Sequence, residues 1–84
     1  MPRDEIEAAL LRHLNRPGAA PRGEIHRESL LLDGVLDSLA LVDLLAFIDR
    51  TWGLRVANRD VRRTCFGSVA ILSGFLDARL RERR

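Results

Sequence analysis

"LDSLALVDLLAFIDRTWG", residues 36–53, is the stretch that decides the fold. Leu41, Leu44, Leu45, Ile48 and Trp52 recur at i, i+3, i+4, i+7 and i+11, which is one continuous face of a helix. The spacing predicts a helix from Ser38 to Thr51, with Gly53 as its C-terminal stop. Asp37 and Ser38 stand at its start, where either side chain accepts a hydrogen bond from an unpaired N–H of the first turn. Only one of them can be the cap, and no capping box accompanies them, because Ala40 and Leu41 follow three residues after each. Off the inward stripe lie Leu39, Val42, Asp43, Ala46 and Arg50, an exposed set rich in apolar side chains of the kind that marks a partner surface.

On the N-terminal side, Ile6, Ala9, Leu10, Leu11 and Leu14 share helical spacing between Arg3 and Asn15. Asp4 and Glu5 sit in the first turn, where the helix dipole favours them. "NRPGAAPRG" ends this helix with two Pro and two Gly. Residues 16–37 then form a connection of 22 residues, long enough in a compact domain to signal a function or a docked loop. "ESLLLDG" is expected to make a brief turn that sinks Leu30, Leu31 or Leu32 into the core.

On the C-terminal side, Leu54 and Val56 begin an extended piece, and a short helix is expected over Asn58–Arg63 with Asn58 as its cap. The final helix takes Ser68 as N-cap, buries Val69, Leu72, Phe75, Leu76 and Leu80, and ends near Arg81, leaving 81–84 as a frayed tail. Three longer helices, one short helix and no alternating strand pattern predict an all-α fold. The expected architecture is a small four-helix bundle with a long loop between the first two helices, in a single domain over residues 1–84.

At 84 residues the chain has room for one core and little for an enclosed active site built from distant segments. Its 14 arginines, with no lysine, stand against 12 acids, so the net charge of +2 is a mild excess rather than a polyanion-binding signature. Cys65 is the single cysteine; it is expected as a core thiol in a chain suited to a reducing cytoplasm. No apolar run approaches the ~20 residues that span a bilayer. His13 and His26 are expected at the surface, away from Ser38, so no base activates that serine and the chain is not read as an enzyme or a metal protein. A helix N-terminus does, however, favour an attached phosphate on Ser38.

"GVLDSLALVDLLAFIDRTWGLRV", residues 34–56, resembles the phosphopantetheine-dependent acyl and peptidyl carrier proteins. In that family a Gly-x-x-Asp-Ser-Leu element opens a helix whose Val, acid and Leu-Leu follow at fixed offsets, ending in an aromatic-Gly-apolar step. The order of helices and loop over nearly the whole chain agrees with an acyl-carrier-protein-like bundle. The resemblance implies that Ser38 carries 4'-phosphopantetheine, placed there from coenzyme A by a phosphopantetheinyl transferase, with Asp37 presenting it to that enzyme and its metal ion. It implies an acyl or aminoacyl thioester cargo, and hence a loading ligase and downstream synthase, transferase or tailoring enzymes as partners. Leu39, Val42, Asp43 and Ala46 would be the recognition face of a monomer with no nucleic-acid or membrane partner.

Two features depart from that family. Its members are strongly acidic, whereas this chain is slightly basic, with Ala40 and Arg50 at positions where relatives often carry acids. Charge steering to basic partners is weaker here, and a narrower, more apolar contact is expected. Arg59, Arg62 and Arg63 are expected together on the short third helix, either as a solvated turn or in contact with the arm's phosphate, an acidic cargo or a partner's acids. The element "RDVRRTCFGSVAILSGFL" looks like that of free-standing carriers in specialised polyketide, nonribosomal peptide or related biosynthesis, and Met1-Pro2 with the charged tail fits a discrete protein.

The alternative is a small helical nucleic-acid-binding or protein-interaction domain in which Ser38 is only a cap. Against nucleic-acid binding, Ala70, Ile71, Ser73, Gly74 and Asp77 on the expected outer face of the last helix offer little for base reading.

Overall fold

The computed structural model describes residues 2–18 and 24–82. It shows an all-α bundle of four helices: α1 (Arg3–Leu14), α2 (Ser38–Trp52), the short α3 (Arg63–Phe66) and α4 (Val69–Glu82). Among the described residues there is no strand. An irregular turn, Leu31–Val35, precedes α2, and a 3₁₀ turn, Asn58–Asp60, precedes α3.

The core follows the periodic residues. Ile6, Leu10 and Leu14 of α1, Leu44 and Ile48 of α2, and Val69, Leu72 and Leu76 of α4 are buried, with Leu41, Leu45, Trp52, Phe75 and Leu80 packed half-buried around them. Phe66 of α3 is the largest fully buried side chain, and the expected core thiol Cys65 lies beside it. Each buried Leu, Ile or Phe is worth about 1.5–3 kcal/mol against exposure.

Polar contacts fix helix ends and pairs. Gly53 takes φ +67 and its N–H donates to Asp49 O at 2.8 Å, so Gly53 is the stop; α2 includes Trp52, one residue beyond the expected end. The Ser68 hydroxyl accepts from Ile71 N–H at 3.2 Å, the N-cap expected for α4. Arg3 of α1 donates to Ala70 O at 2.8 Å across the α1/α4 interface, and its guanidinium lies over Gly74.

Three expectations change. Asn58 caps no α-helix: Arg59 lies in the 3₁₀ turn, Arg62 is extended (φ −149, ψ 167) and α3 begins only at Arg63. Val61 explains the break, since packing its half-buried side chain on the core takes its backbone to φ −83, ψ 79, outside helical geometry. Ser73 is fully buried rather than outward; its Oγ–H donates to Ala70 O at 2.8 Å, which satisfies the hydroxyl within its own helix. Arg81 and Glu82 are helical, so the expected frayed tail does not include them; residues 83 and 84 lie outside those described, as do 19–23 of the connection.

The connection is docked as expected, through Leu31, which is fully buried while Leu30 stays exposed. Leu31 N–H donates to Gly67 O at 3.1 Å, and Ala70 N–H to Arg27 O at 2.9 Å. The Asn15 carboxamide also brackets Ile25, accepting from its N–H at 2.7 Å and donating to its carbonyl at 2.8 Å.

Gly67 tests this docking directly, because a Cβ there would lie 2.5 Å from the Arg63 carbonyl oxygen, a backbone atom. Gly67→Ala is expected to lose about 1–3 kcal/mol in urea unfolding, because the added methyl must displace the Arg63 carbonyl within α3. An unchanged midpoint would show that the junction yields freely.

Candidate functional site

The start of α2 resolves which side chain caps it. Asp37 has extended backbone (φ −84, ψ −178), and its Oδ1 accepts from Ala40 N–H at 2.8 Å. Asp37 is therefore the cap, and its charge also suits the positive end of a 15-residue helix. Ser38 is the first helical residue; it is exposed, and its hydroxyl makes no hydrogen bond among the described residues. A free primary hydroxyl at a helix N-terminus can bear a phosphodiester, whose oxygens the helix end stabilises.

The residues expected below Ser38 lie where the pattern put them. Leu39 is 80% exposed and Val42 63%, the two most exposed of the large apolar side chains described, and Ala46 continues the stripe. Arg50 is exposed one turn further on.

Asp43 is different. It lies at the edge of this stripe and turns toward α1, where its Oδ2 is 2.8 Å from His13 Nε2 and 3.0 Å from Arg16 Nη2. His13 is accordingly not a surface residue: its side chain is 8% exposed and its ring stacks on Phe47 at 3.9 Å between centroids. His13's hydrogen bond, and to a lesser degree Arg16, hold the Asp43 carboxyl below the ordinary carboxylate range, against partial burial that opposes this. With Asp43 ionised, Nε2 carries the proton and donates to it. Among the described residues, neither histidine bonds Ser38 and no base is positioned on that hydroxyl.

Arg62, the other expected partner residue, is exposed at the entrance to α3, and its carbonyl accepts from Cys65 and Phe66 N–H. Its neighbour Arg63 pairs with Asp33 in the turn before α2, tying the α3 entrance to the segment that delivers Ser38. Sequence reasoning missed a neighbouring apolar cleft of about 490 Å³, lined by Leu30, Leu32, Ile71 and the Asp33–Arg63 pair. Its one signal was Ile71, expected on the outer face of the last helix; within the run Leu30–Leu32, periodicity could not say which leucine stays exposed.

No group of three or more His, Cys, Asp or Glu among the described residues is placed to hold a metal ion, and none of the described helices is long and apolar enough to cross a membrane. No protein-family model and no curated protein matches the chain.

Replacing each of the two adjacent side chains separates capping from everything else. Asp37→Ala is expected to cost about 0.5–2 kcal/mol and Ser38→Ala less than about 0.5 kcal/mol in chemical denaturation, since only Asp37 closes the cap. Equal losses would contradict this division of roles.

Acid titration reads two pairs that anchor α1, Glu7–Arg27 to the connection and His13–Asp43 to α2. The Arg27 hydrogen bond lowers Glu7 from its ordinary 4.5, and His13 lowers Asp43 from 3.8, so each contributes stability above those values that is lost as pH falls through the lowered folded values. Glu7→Gln and Asp43→Asn are expected to be slightly less stable than wild type at neutral pH and to lose less on acidification. The effect is modest because both pairs are partly exposed. Parallel pH profiles for variants and wild type would exclude the linkage.

Proposed function

We propose that the chain is a carrier protein, bearing 4'-phosphopantetheine on Ser38 and presenting an acyl or aminoacyl thioester to partner enzymes of a cytoplasmic biosynthetic pathway. The observation that carries this reading is the division of labour at the start of α2. Asp37 alone closes the cap, so Ser38 is an exposed hydroxyl with no structural task, followed by two exposed apolar residues. The resemblance of residues 34–56 to the carrier family supplies the chemistry.

In the attachment step, a separate phosphopantetheinyl transferase uses coenzyme A. Ser38 Oγ attacks the phosphorus that bears the pantetheine, a new P–O bond forms, the diphosphate bond breaks, and adenosine 3',5'-bisphosphate leaves while the serine proton passes to the transferase. Once attached, the arm supplies a terminal thiol for thioester formation. The bundle's own residues hold Ser38 at the helix end, with Asp37 ordering the first turn and Leu39, Val42 and Ala46 offering partners an apolar surface to desolvate. Asp43 is held by α1, which supports recognition by a more apolar contact than acid-based steering. The chain performs no catalysis in this scheme, and its partners are the transferase, a loading ligase and the enzymes that consume the cargo.

Incubation with coenzyme A and a broad-specificity phosphopantetheinyl transferase is expected to raise the intact mass by one arm. The gain should vanish in Ser38→Ala and survive in Val42→Ala at reduced rate. No mass gain on the folded wild-type chain would overturn the carrier reading.

A further inference from the structure

The arginines of this protein divide by what holds them. Of those described, Arg3 bonds Ala70 O, and Arg16, Arg27, Arg63, Arg79 and Arg81 pair with Asp43, Glu7, Asp33, Asp60 and Asp77 respectively. Arg12 and Arg50 make no ion pair but lie in the last turns of α1 and α2, where the helix dipole favours a cation. Arg55, Arg59 and Arg62 have neither role. They are exposed, outside every α-helix, and fall within eight residues of one another in the link between α2 and α3.

The same link has one acid, Asp60, and that acid is mostly buried and paired with Arg79 at 3.6 Å, not with its neighbours. The remaining cation, Arg63, is neutralised by Asp33. The link thus exposes three uncompensated guanidinium groups although the chain as a whole carries only +2. Three like charges this close along the chain, with no ion pair among the described residues, work against one another, and guanidinium is the side chain suited to bidentate carboxylate contact.

We infer that Arg55, Arg59 and Arg62 form a docking surface for a partner protein that presents a cluster of carboxylates. A nucleic acid is the less suitable occupant. Residues 55–62 include no aromatic side chain for base stacking, the two arginines of α4, Arg79 and Arg81, are paired with Asp60 and Asp77, and the whole-chain charge is far below the broad basic footprint of duplex binding. The surface lies on the link rather than on α2 and does not depend on an arm at Ser38, so it stands or falls apart from the carrier reading.

The test is a titration of the ¹⁵N-labelled, unmodified full chain with a short polyglutamate peptide, with polylysine and a short DNA duplex as comparators. Polyglutamate is expected to shift the amide signals of residues 55–63 first, with binding that fades as salt is raised. Arg55→Glu, Arg59→Glu or Arg62→Glu should each weaken it by about threefold to tenfold, and the triple reversal should abolish it. Arg12→Glu removes the same charge elsewhere and is expected to leave binding within about twofold. All these positions are exposed, and circular dichroism checks that each variant is folded. The inference is overturned if Arg12→Glu weakens polyglutamate as much as the link variants, if the shifts spread over the whole surface, or if DNA binds more tightly at equal salt.

Discussion

The position of α2 depends on the contact between the long connection and the α3–α4 junction. Apart from its ends, the described part of that connection sinks only Ile25 and Leu31 fully into the core. Left unpinned, it would give α2 no defined origin, and ordering so many residues costs about 1–2 kcal/mol of backbone entropy for each. The junction meets this cost at three points: Gly67 O accepts Leu31 N–H, Arg27 O receives Ala70 N–H, and Arg63 pairs with Asp33. Gly67 is essential to the arrangement because a side chain there would meet the Arg63 carbonyl, four residues back at the start of α3. Six residues beyond the buried Leu31 the chain reaches Asp37, whose cap fixes the first turn and leaves Ser38 outside.

The parts of this structure that follow hydrophobic periodicity were legible in the sequence. The core faces of α1, α2 and α4, the Gly53 stop, the Ser68 cap and the exposure of Leu39 and Val42 all depend on side-chain spacing within one helix. What was not legible depends on distant partners or on backbone angles. Asp37 and Ser38 are chemically equal as caps, and only the extended φ/ψ of Asp37 decides between them. His13 looks like a surface residue until Asp43, thirty residues away, and Phe47 close over it. Asn58 is a good cap by type, but burial of Val61 overrides local preference and delays the helix to Arg63.

The His13–Arg16–Asp43 cluster and the arginine link pull the surface electrostatics in the same direction. By engaging Asp43, α1 removes from the α2 stripe the acid nearest its centre, leaving Asp37 at the cap and Asp49 at the far end as its remaining acids. What is left in the middle is Leu39, Val42 and Ala46, whose attraction for a partner is short-ranged because it comes from displaced water. Charge on the α2–α3 link acts differently, reaching about a Debye length, roughly 8 Å at physiological ionic strength. A partner would therefore meet two cues of unequal range, an arginine field that orients approach and an apolar stripe that holds the complex once water leaves. In the family that residues 34–56 resemble, acids supply the long-range cue. Here the unpaired charge of the α2–α3 link, Arg55, Arg59 and Arg62, is positive, so the partner inferred for that link needs the opposite charge at its rim and the same apolar surface at its centre.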